Sequence, residues 1–409
     1  MNNGQFDLIV FGATSFVGEI LCQYLIEQYG IDGDVKWAAA GRSQSKLEKL
    51  RSSLGSKAEK LTLLTAEASD EASLKSLCEQ SKVIISTVGP YALYGEPLVK
   101  MCVDTGTDYC DLTGEVQWVK RMVTRYQGKA QETGARIVHC CGFDSIPSDM
   151  GVYHLQQQAQ KQFGEPCTKI RMRVKALRGA ASGGTIASMI NITKEAAASK
   201  ALRKELANPY SICPVDHGFS VRQANVTKPE FDSESGQWAG PFIMAGINTR
   251  VVHRSNALSG NAYGNNFRYD ESMLMGKGNK GLFSAGSFVL GLGCFLVGAA
   301  IKPSRWVMEN YMLPKPGEGP SPSAQAKGFY DLRFYGETEK GQKIKTKVTG
   351  DRDPGYGSTS KMLAQTGLSL AFDISKEEKR GGFWTTATVF DQRFIKRLEQ
   401  HAGLTFTVE

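Results

Sequence analysis

The first 150 residues of the chain alternate between short apolar runs and longer stretches with helical periodicity. The apolar runs read as strands and cover 6–11, 35–40, 61–65, 82–88, 108–111 and 136–141. Helical stretches lie between them, for example over 45–54, 71–80, 96–105 and 116–133. Because neighbouring parallel strands need a crossover of this length, the alternation predicts a parallel sheet covered by helices on both faces.

The regular alternation of short strands and helices ends near residue 149. The next runs with strand-like alternation are longer and more widely spaced, at 169–175, 329–335 and 343–348, and a single helix is predicted over 185–206. This pattern favours a mixed or antiparallel sheet. The chain is therefore expected to be an α/β protein, with a doubly wound parallel sheet followed by a second, α+β domain.

A glycine-bounded turn follows the first predicted strand. It reads GATSFVG over 12–18, so that Gly12 permits a tight turn and Gly18 lets the next helix pack closely on the sheet. Ser15 stands where a central glycine is usual, and its hydroxyl is expected to bond to a phosphate. This arrangement points backbone N–H groups at a pyrophosphate and predicts a dinucleotide site. The residues expected to form it are Gly12, Thr14, Ser15, Phe16, Val17 and Gly18.

The end of the second strand discriminates between the two nicotinamide dinucleotides. An acidic residue here would bind the ribose 2′-OH of NAD. The sequence instead has Arg42 and Ser43, with Lys46 one helical turn later and no carboxylate between them. A guanidinium and a hydroxyl suit a 2′-phosphate, so NADP(H) is the predicted cofactor.

The fourth strand ends in the sequence VGPY, at the edge of the sheet where ligands bind in such folds. Val88, Gly89, Pro90 and Tyr91 are therefore expected to border the cofactor, with the Gly89 backbone facing its ribose. Tyr94 follows in the same loop. For each tyrosine, ordinary loop packing is the alternative to a place in the cleft.

Charge and cysteine content exclude several other functions. The 49 Lys and Arg against 41 Asp and Glu give a net charge of +8, which suits an anionic cofactor or an anionic membrane face. No Lys/Arg run is interleaved with aromatic residues, so nucleic acid is not an expected partner. The nine cysteines form no CxxC pair and the five histidines are dispersed. We therefore expect reduced thiols, no metal site and a cytoplasmic location.

Residues 282–301 form an apolar run of twenty residues without a charge. Two interpretations stay open, namely a buried helix or dimer-interface element, and membrane contact without crossing or a channel for lipid tails. A full span is less favoured because Lys and Arg flank the run on both sides. Its length alone would suffice to cross a bilayer.

Several motifs together resemble the saccharopine dehydrogenase-like oxidoreductases, in particular the branch of trans-acting enoyl reductases. They are FGATSFVG, AGRS, STVGPYALYGEPLVKMC, DYCDLTGE and HCCGFDSIPSDMG in the first part, then SGGT (182–185), YGNNFRY (263–269) and GDRDPGYGSTSKM (350–362). The resemblance implies a Rossmann-type NADP-binding domain over 1–148 and a substrate and dimerisation domain over 149–349, which contains 282–301. It also implies a segment, 350–409, that returns to the first domain. We expect a homodimer.

The predicted activity is NADPH-dependent reduction of an enoyl or carbonyl group in a lipid-like substrate. Tyr94 is the first candidate for proton donor and Tyr91 the second, while Asp144 and Ser145 are expected to orient substrate or ribose. One alternative is a catalytically silent NADP(H)-binding protein, associated with a membrane or acting as a sensor. A saccharopine-type amino-acid dehydrogenase is less favoured, because the candidate loops are neutral or acidic and would bind a tricarboxylate poorly.

Overall fold

The structure is a computed structural model and describes residues 4–179, 183–312 and 319–409. The chain forms two compact units. The first unit comprises the chain up to Phe143 and the segment Gly355–Ala402. The second unit begins at Asp144 and also contains Pro320–Pro354 and Gly403–Glu409. Ser182 of the SGGT motif lies outside the described residues.

The strands are, in chain order, β1 (Phe6–Phe11), β2 (Trp37–Gly41), β3 (Thr62–Thr65), β4 (Ser81–Ser86), β5 (Asp108–Asp111), β6 (Arg136–Val138), β7 (Cys167–Arg178), β8 (Glu230–Asp232), β9 (Gln237–Pro241), β10 (Arg268–Gly276), β11 (Phe329–Thr338), β12 (Lys343–Gly350), β13 (Gly382–Trp384) and β14 (Leu404–Val408).

The helices are α1 (Phe16–Tyr29), α2 (Gln44–Ser53), α3 (Glu71–Glu79), α4 (Tyr91–Tyr94), α5 (Glu96–Thr105), α6 (Val116–Thr133), α7 (Ile146–Phe163), α8 (Gly183–Ala198), α9 (Lys200–Ala207), α10 (Ala245–Leu258), α11 (Gly278–Ala300), α12 (Lys302–Val307), α13 (Pro322–Ala326), α14 (Thr359–Phe372), α15 (Thr386–Val389) and α16 (Gln392–Arg397).

The sheet of the first unit is parallel, in the order β13-β6-β5-β4-β1-β2-β3. Its interior strand β1 is buried at every position, as a parallel strand covered on both faces must be. The order reverses between β1 and β4, and this is where such sheets bind ligands at the carboxyl ends of their strands. The predicted doubly wound parallel sheet is confirmed.

The sheet of the second unit is mixed, in the order β14-β12-β11-β7-β10-β9-β8. The strands β7 and β10 pair in parallel, and the other pairs are antiparallel. The expectation of a mixed or antiparallel sheet is therefore confirmed. Buried residues alternate along β12 and most of β11, and α7 packs against both strands.

Three predicted boundaries differ from the structure. The strand expected over 136–141 ends at Val138, because Cys140 adopts a φ of 65° that no strand continues through. The single helix expected over 185–206 is divided at Ser199, whose hydroxyl accepts a hydrogen bond from the Leu202 N–H at 3.1 Å and so starts a new helix. The segment 350–409 is shared between the units, because β14 pairs with β12.

Candidate functional site

Two glycines shape the turn between β1 and α1. Gly12 has a φ of +88°, and a Cβ there would lie 2.7 Å from the Thr87 hydroxyl. A Cβ on Gly18 would clash with the backbone oxygen of Gly12. Both positions therefore require glycine, which allows α1 to begin directly beside the end of β1.

The first turn of α1 presents free backbone donors. The N–H groups of Thr14, Phe16 and Val17 have no hydrogen-bond partner among the described residues. Unpaired donors and the positive end of the helix dipole together suit a phosphate group. The turn thus fits the pyrophosphate of a dinucleotide, as its sequence predicts.

Ser15 orders this turn instead of offering a free hydroxyl. Its oxygen accepts a hydrogen bond from the Gly18 N–H at 3.0 Å and lies 2.9 Å from the Thr87 hydroxyl. Since Thr87 donates to the Gly12 carbonyl at 2.9 Å, Ser15 must supply the proton of the Ser15–Thr87 bond. The expected hydrogen bond from the Ser15 hydroxyl to a phosphate is therefore not supported.

The end of β2 carries the predicted specificity residues. Ser43 caps α2 by accepting a hydrogen bond from the Lys46 N–H at 3.4 Å, so its role is at least partly structural. Arg42 and Lys46 are exposed, and no hydrogen bond or ion pair within the described part of the chain engages either side chain. Two uncommitted cations at this edge fit a 2′-phosphate.

Replacing Arg42 by alanine is expected to weaken NADPH binding about tenfold while leaving NADH binding almost unchanged, because only NADPH carries the 2′-phosphate. Fluorescence titration of both cofactors measures this difference. Lys57→Ala, which removes an exposed lysine beyond α2, is the matched control. An equal loss for both cofactors would show that Arg42 does not bind the 2′-phosphate.

The loop after β4 places its two tyrosines differently. Tyr91 is buried, and its hydroxyl donates to the Ser86 carbonyl at 2.9 Å. Its backbone N–H donates to Glu115 at 2.8 Å, and its ring lies 5.3 Å from that of Trp118. The prediction that Tyr91 could donate a proton to substrate is contradicted by this engagement. Tyr91 instead anchors the loop.

Tyr94 is the accessible phenol of this loop. It closes the short helix α4 and is 50% exposed, and its hydroxyl has no partner among the residues that the structure describes. Gly89 is exposed, and Val88 and Pro90 are half-buried, so the backbone before Tyr94 is open to a ligand. This loop follows the carboxyl end of β4, beside the glycine turn.

An Asp–His pair at the same sheet edge was not predicted from the sequence. Asp111 ends β5 and His139 follows β6, and the His139 Nδ1 lies 2.7 Å from the Asp111 carboxylate. The same carboxylate accepts hydrogen bonds from the Tyr109 hydroxyl at 3.0 Å and the Cys140 N–H at 3.1 Å. In the sequence, this pair was indicated only by a polar residue at the end of each of two predicted strands.

The second unit contains a buried polar network around Asn248. Ser145 donates to Asn248 at 3.0 Å, and Asn248 donates to Ser148 at 3.1 Å and to Glu271 at 2.9 Å. The Tyr269 hydroxyl donates to Glu271 at 2.7 Å. Burial raises the pKa of Glu271 to about 7. Ser145 thus belongs to this network, which joins the GFDSIPSD motif to β10, the strand that begins within YGNNFRY.

Asp144 immediately precedes this network and is half-buried at the start of the second unit. Asp149, in the first turn of α7, accepts a hydrogen bond from the Ser255 hydroxyl at 2.5 Å. The motif therefore supplies both buried structural residues and one partly accessible carboxylate. The role expected of Asp144 in orienting substrate stays a prediction.

Comparison with known proteins gives consistent matches. Residues 8–138 match the saccharopine dehydrogenase NADP-binding domain. A Mycobacterium tuberculosis protein provisionally named a trans-acting enoyl reductase is 38% identical over 416 residues, which cover 96% of this chain and 95% of that protein. The trans-acting enoyl reductase of Mycobacterium bovis is 35% identical over 411 residues, covering 96% of each chain.

The fold comparison agrees with these sequence matches. Saccharopine dehydrogenase (L-glutamate forming) from Saccharomyces cerevisiae aligns with a TM-score of 0.53 and 10% identity, covering 99% of this chain and 100% of that chain. The glycine turn, the NADP-binding domain match and the near full-length relatives lead to one conclusion. The chain belongs to the trans-acting enoyl reductase family of saccharopine dehydrogenase-like proteins and is an NADP(H)-dependent oxidoreductase.

Proposed function

We propose that the protein reduces the enoyl double bond of a lipid-like acyl substrate, with a conjugated carbonyl group as the second candidate target. The accessible phenol of Tyr94, which has no partner among the described residues and lies in the loop that follows β4, carries this proposal. The names of the relatives at 35–38% identity support the enoyl substrate. The loop 88–96 contains no Lys or Arg, which disfavours a tricarboxylate such as saccharopine.

Reduction of an enoyl thioester adds a hydride to the β carbon and a proton to the α carbon. Bound NADPH supplies the hydride. As the β carbon is reduced, the electrons of the double bond move to the thioester oxygen, and the Tyr94 hydroxyl donates a hydrogen bond to this developing enolate. The Tyr94 hydroxyl then transfers its proton to the α carbon as the carbonyl re-forms, and the resulting phenolate takes up a proton from solvent. Tyr94 is thus proposed as the catalytic donor.

Tyr94→Phe is expected to lower turnover about a hundredfold, because general acid catalysis contributes roughly 10²- to 10⁴-fold. The assay follows NADPH oxidation with a long-chain trans-2-enoyl coenzyme A thioester as the probe. NADPH affinity, measured by titration, should stay unchanged, since the phenol is not needed to hold the cofactor.

Tyr29→Phe is the matched control, because it removes a tyrosine hydroxyl from the far end of α1. Unchanged turnover in Tyr94→Phe would remove Tyr94 from the mechanism. Tight NADPH binding by the wild type, without oxidation across enoyl and keto thioesters, would favour the catalytically silent alternative.

We also place the protein in the cytoplasm. All nine cysteines are free thiols, seven of them buried, and this is typical of a reducing compartment. To test this, cells are lysed in acid, and the protein is then denatured at once and labelled with a thiol reagent. Nine labelled thiols are expected, whereas protected cysteines would indicate an oxidising compartment.

A further inference from the structure

The helix α11 presents exposed apolar side chains on the second unit. Among the described residues, α11 is the one helix whose length and composition would allow it to cross a membrane. Its mean hydropathy is 1.9 over an 18-residue window. Only 11% of that window is buried. The interpretation of 282–301 as a buried helix is therefore wrong for the isolated chain.

The exposed side of α11 forms one continuous stripe. Residues separated by four and three positions share a helix face, and the outermost series is Phe283, Ser287, Leu290, Cys294 and Val297. The three large apolar members are 78%, 70% and 61% exposed. The stripe extends over about 21 Å at the helical rise per residue. Isolated exposed apolar side chains are common, but a row of this length indicates a binding surface.

The opposite side of α11 rests on the protein. The helix packs against β9, β10 and α8, with Gly281, Ala285 and Ala299 buried. A helix supported along one side cannot be surrounded by lipid, as a crossing helix would be. This geometry fits a helix that lies in the plane of a membrane interface with its outer side immersed.

Charged and aromatic residues border the stripe in the pattern of a membrane interface. Lys277 and Lys280 lie at the start of α11, and Lys302 and Arg305 follow its end. No Asp or Glu occurs over 272–308, and Glu309 is the single acidic residue between Trp306 and Tyr311. Beyond the helix, Trp306 and Tyr311 are 57% and 75% exposed, with their rings 5.8 Å apart. Amphipathic rings of this type prefer the headgroup level of a bilayer.

We propose that this face, comprising the α11 stripe, its flanking cations and the Trp306–Tyr311 pair, docks on the surface of a bilayer that contains anionic lipid. The cations complement lipid phosphates, and the apolar stripe enters the acyl boundary. A second copy of the chain fits less well, because the stripe offers only Ser287 and Cys294 as polar groups, whereas protein interfaces carry a polar rim with regular hydrogen bonds. Docking does not depend on which substrate is reduced.

The test is flotation of the full-length protein with vesicles of phosphatidylcholine, with and without phosphatidylglycerol. The wild type should float with the anionic vesicles. Phe283→Ser/Val297→Ser should reduce partitioning at least tenfold, because two exposed apolar side chains are lost without disturbing the core. Lys280→Gln/Lys302→Gln should weaken binding to anionic vesicles about fivefold per residue and leave neutral vesicles unaffected.

The matched control is Phe231→Ser/Val215→Ser, which removes the same two residue types from exposed positions elsewhere in the second unit. Equal flotation of the stripe variant and this control would overturn the proposal. A second result would also overturn it. In this result, light scattering without lipid shows that the wild type self-associates and the stripe variant is monomeric, while both proteins bind vesicles equally well. NADPH oxidation with a short-chain substrate should stay normal in the stripe variant, which separates failure of docking from failure of the reductase function.

Discussion

Gly18→Ala is expected to abolish measurable NADPH binding. The added methyl group would collide with the backbone oxygen of Gly12 and crowd Ala13, and backbone atoms cannot turn aside as a flexible side chain would. Helix α1 must then move away from β1, which separates the free donors of its first turn from the end of the strand. We expect at least a hundredfold loss of affinity, together with a stability loss of about 1–3 kcal/mol from overpacking.

Isothermal titration with NADPH measures the affinity, and thermal unfolding measures the stability. Gly128→Ala is the matched control, because a Cβ at that position in α6 meets nothing within 4 Å. This control should bind NADPH normally and gain about 0.5–1 kcal/mol from better helix propensity. Normal NADPH affinity in Gly18→Ala would show that the turn does not hold the cofactor.

Arg136→Leu is expected to destabilise the first unit by about 3–5 kcal/mol, the usual cost of breaking a buried ion pair. Arg136 and Asp108 are each 3% exposed at their side chains and joined at 2.5 Å. The guanidinium also donates to the carbonyls of Ile374 and Leu370, at 2.6 and 2.7 Å. Its removal deprives two carbonyls of a donor and leaves the buried Asp108 carboxylate with only the backbone N–H of residue 136 and Lys376 as partners.

Thermal unfolding of the full chain measures this loss, with calorimetry to separate overlapping transitions. Asp32→Asn serves as the comparison, because it breaks an ion pair of similar length, 3.1 Å to Lys60, whose side chains are about three-quarters exposed. That change should cost at most about 1 kcal/mol. Similar losses in the two variants would mean that burial does not determine the strength of the Arg136–Asp108 pair.

The two predictions concern different parts of the same sheet. Gly18 acts at the carboxyl edge where the cofactor binds, whereas Arg136 ties the start of β6 to the end of α14. Since α14 lies more than 200 positions after β6, this contact fastens the C-terminal part of the first unit to its sheet. Loss of stability without loss of NADPH affinity is therefore expected for Arg136→Leu at temperatures below its transition.

Local patterns were sufficient for the architecture of the first unit. Strand and helix periodicity, and the glycines at both ends of the turn, depend only on neighbouring residues, so β1, the turn and α1 are predicted within a few positions. The position of Arg42 and Lys46 at the cofactor edge is also predicted from local patterns, because the end of β2 faces that edge in any sheet of this strand order.

The roles of individual polar side chains were less predictable. Tyr91 and Tyr94 lie three positions apart in one loop, yet the first is committed to the Ser86 carbonyl and the second is open. Asp111 and His139 meet only because β5 and β6 are neighbours. Burial raises the pKa of Glu271, and the hydrogen bonds from Ser148 and Asn248, which lie far from it in sequence, partly oppose this shift.

The sequence by itself determined the fold class, the cofactor turn and the existence of a twenty-residue apolar segment. Only the tertiary structure decided that this segment is an exposed helix and that Ser15 and Tyr91 use their hydroxyls within the protein. The physical reason is the sequence separation over which each interaction acts. Backbone preference and periodicity act between near neighbours, whereas burial and hydrogen-bond partners depend on which distant segments the fold brings together.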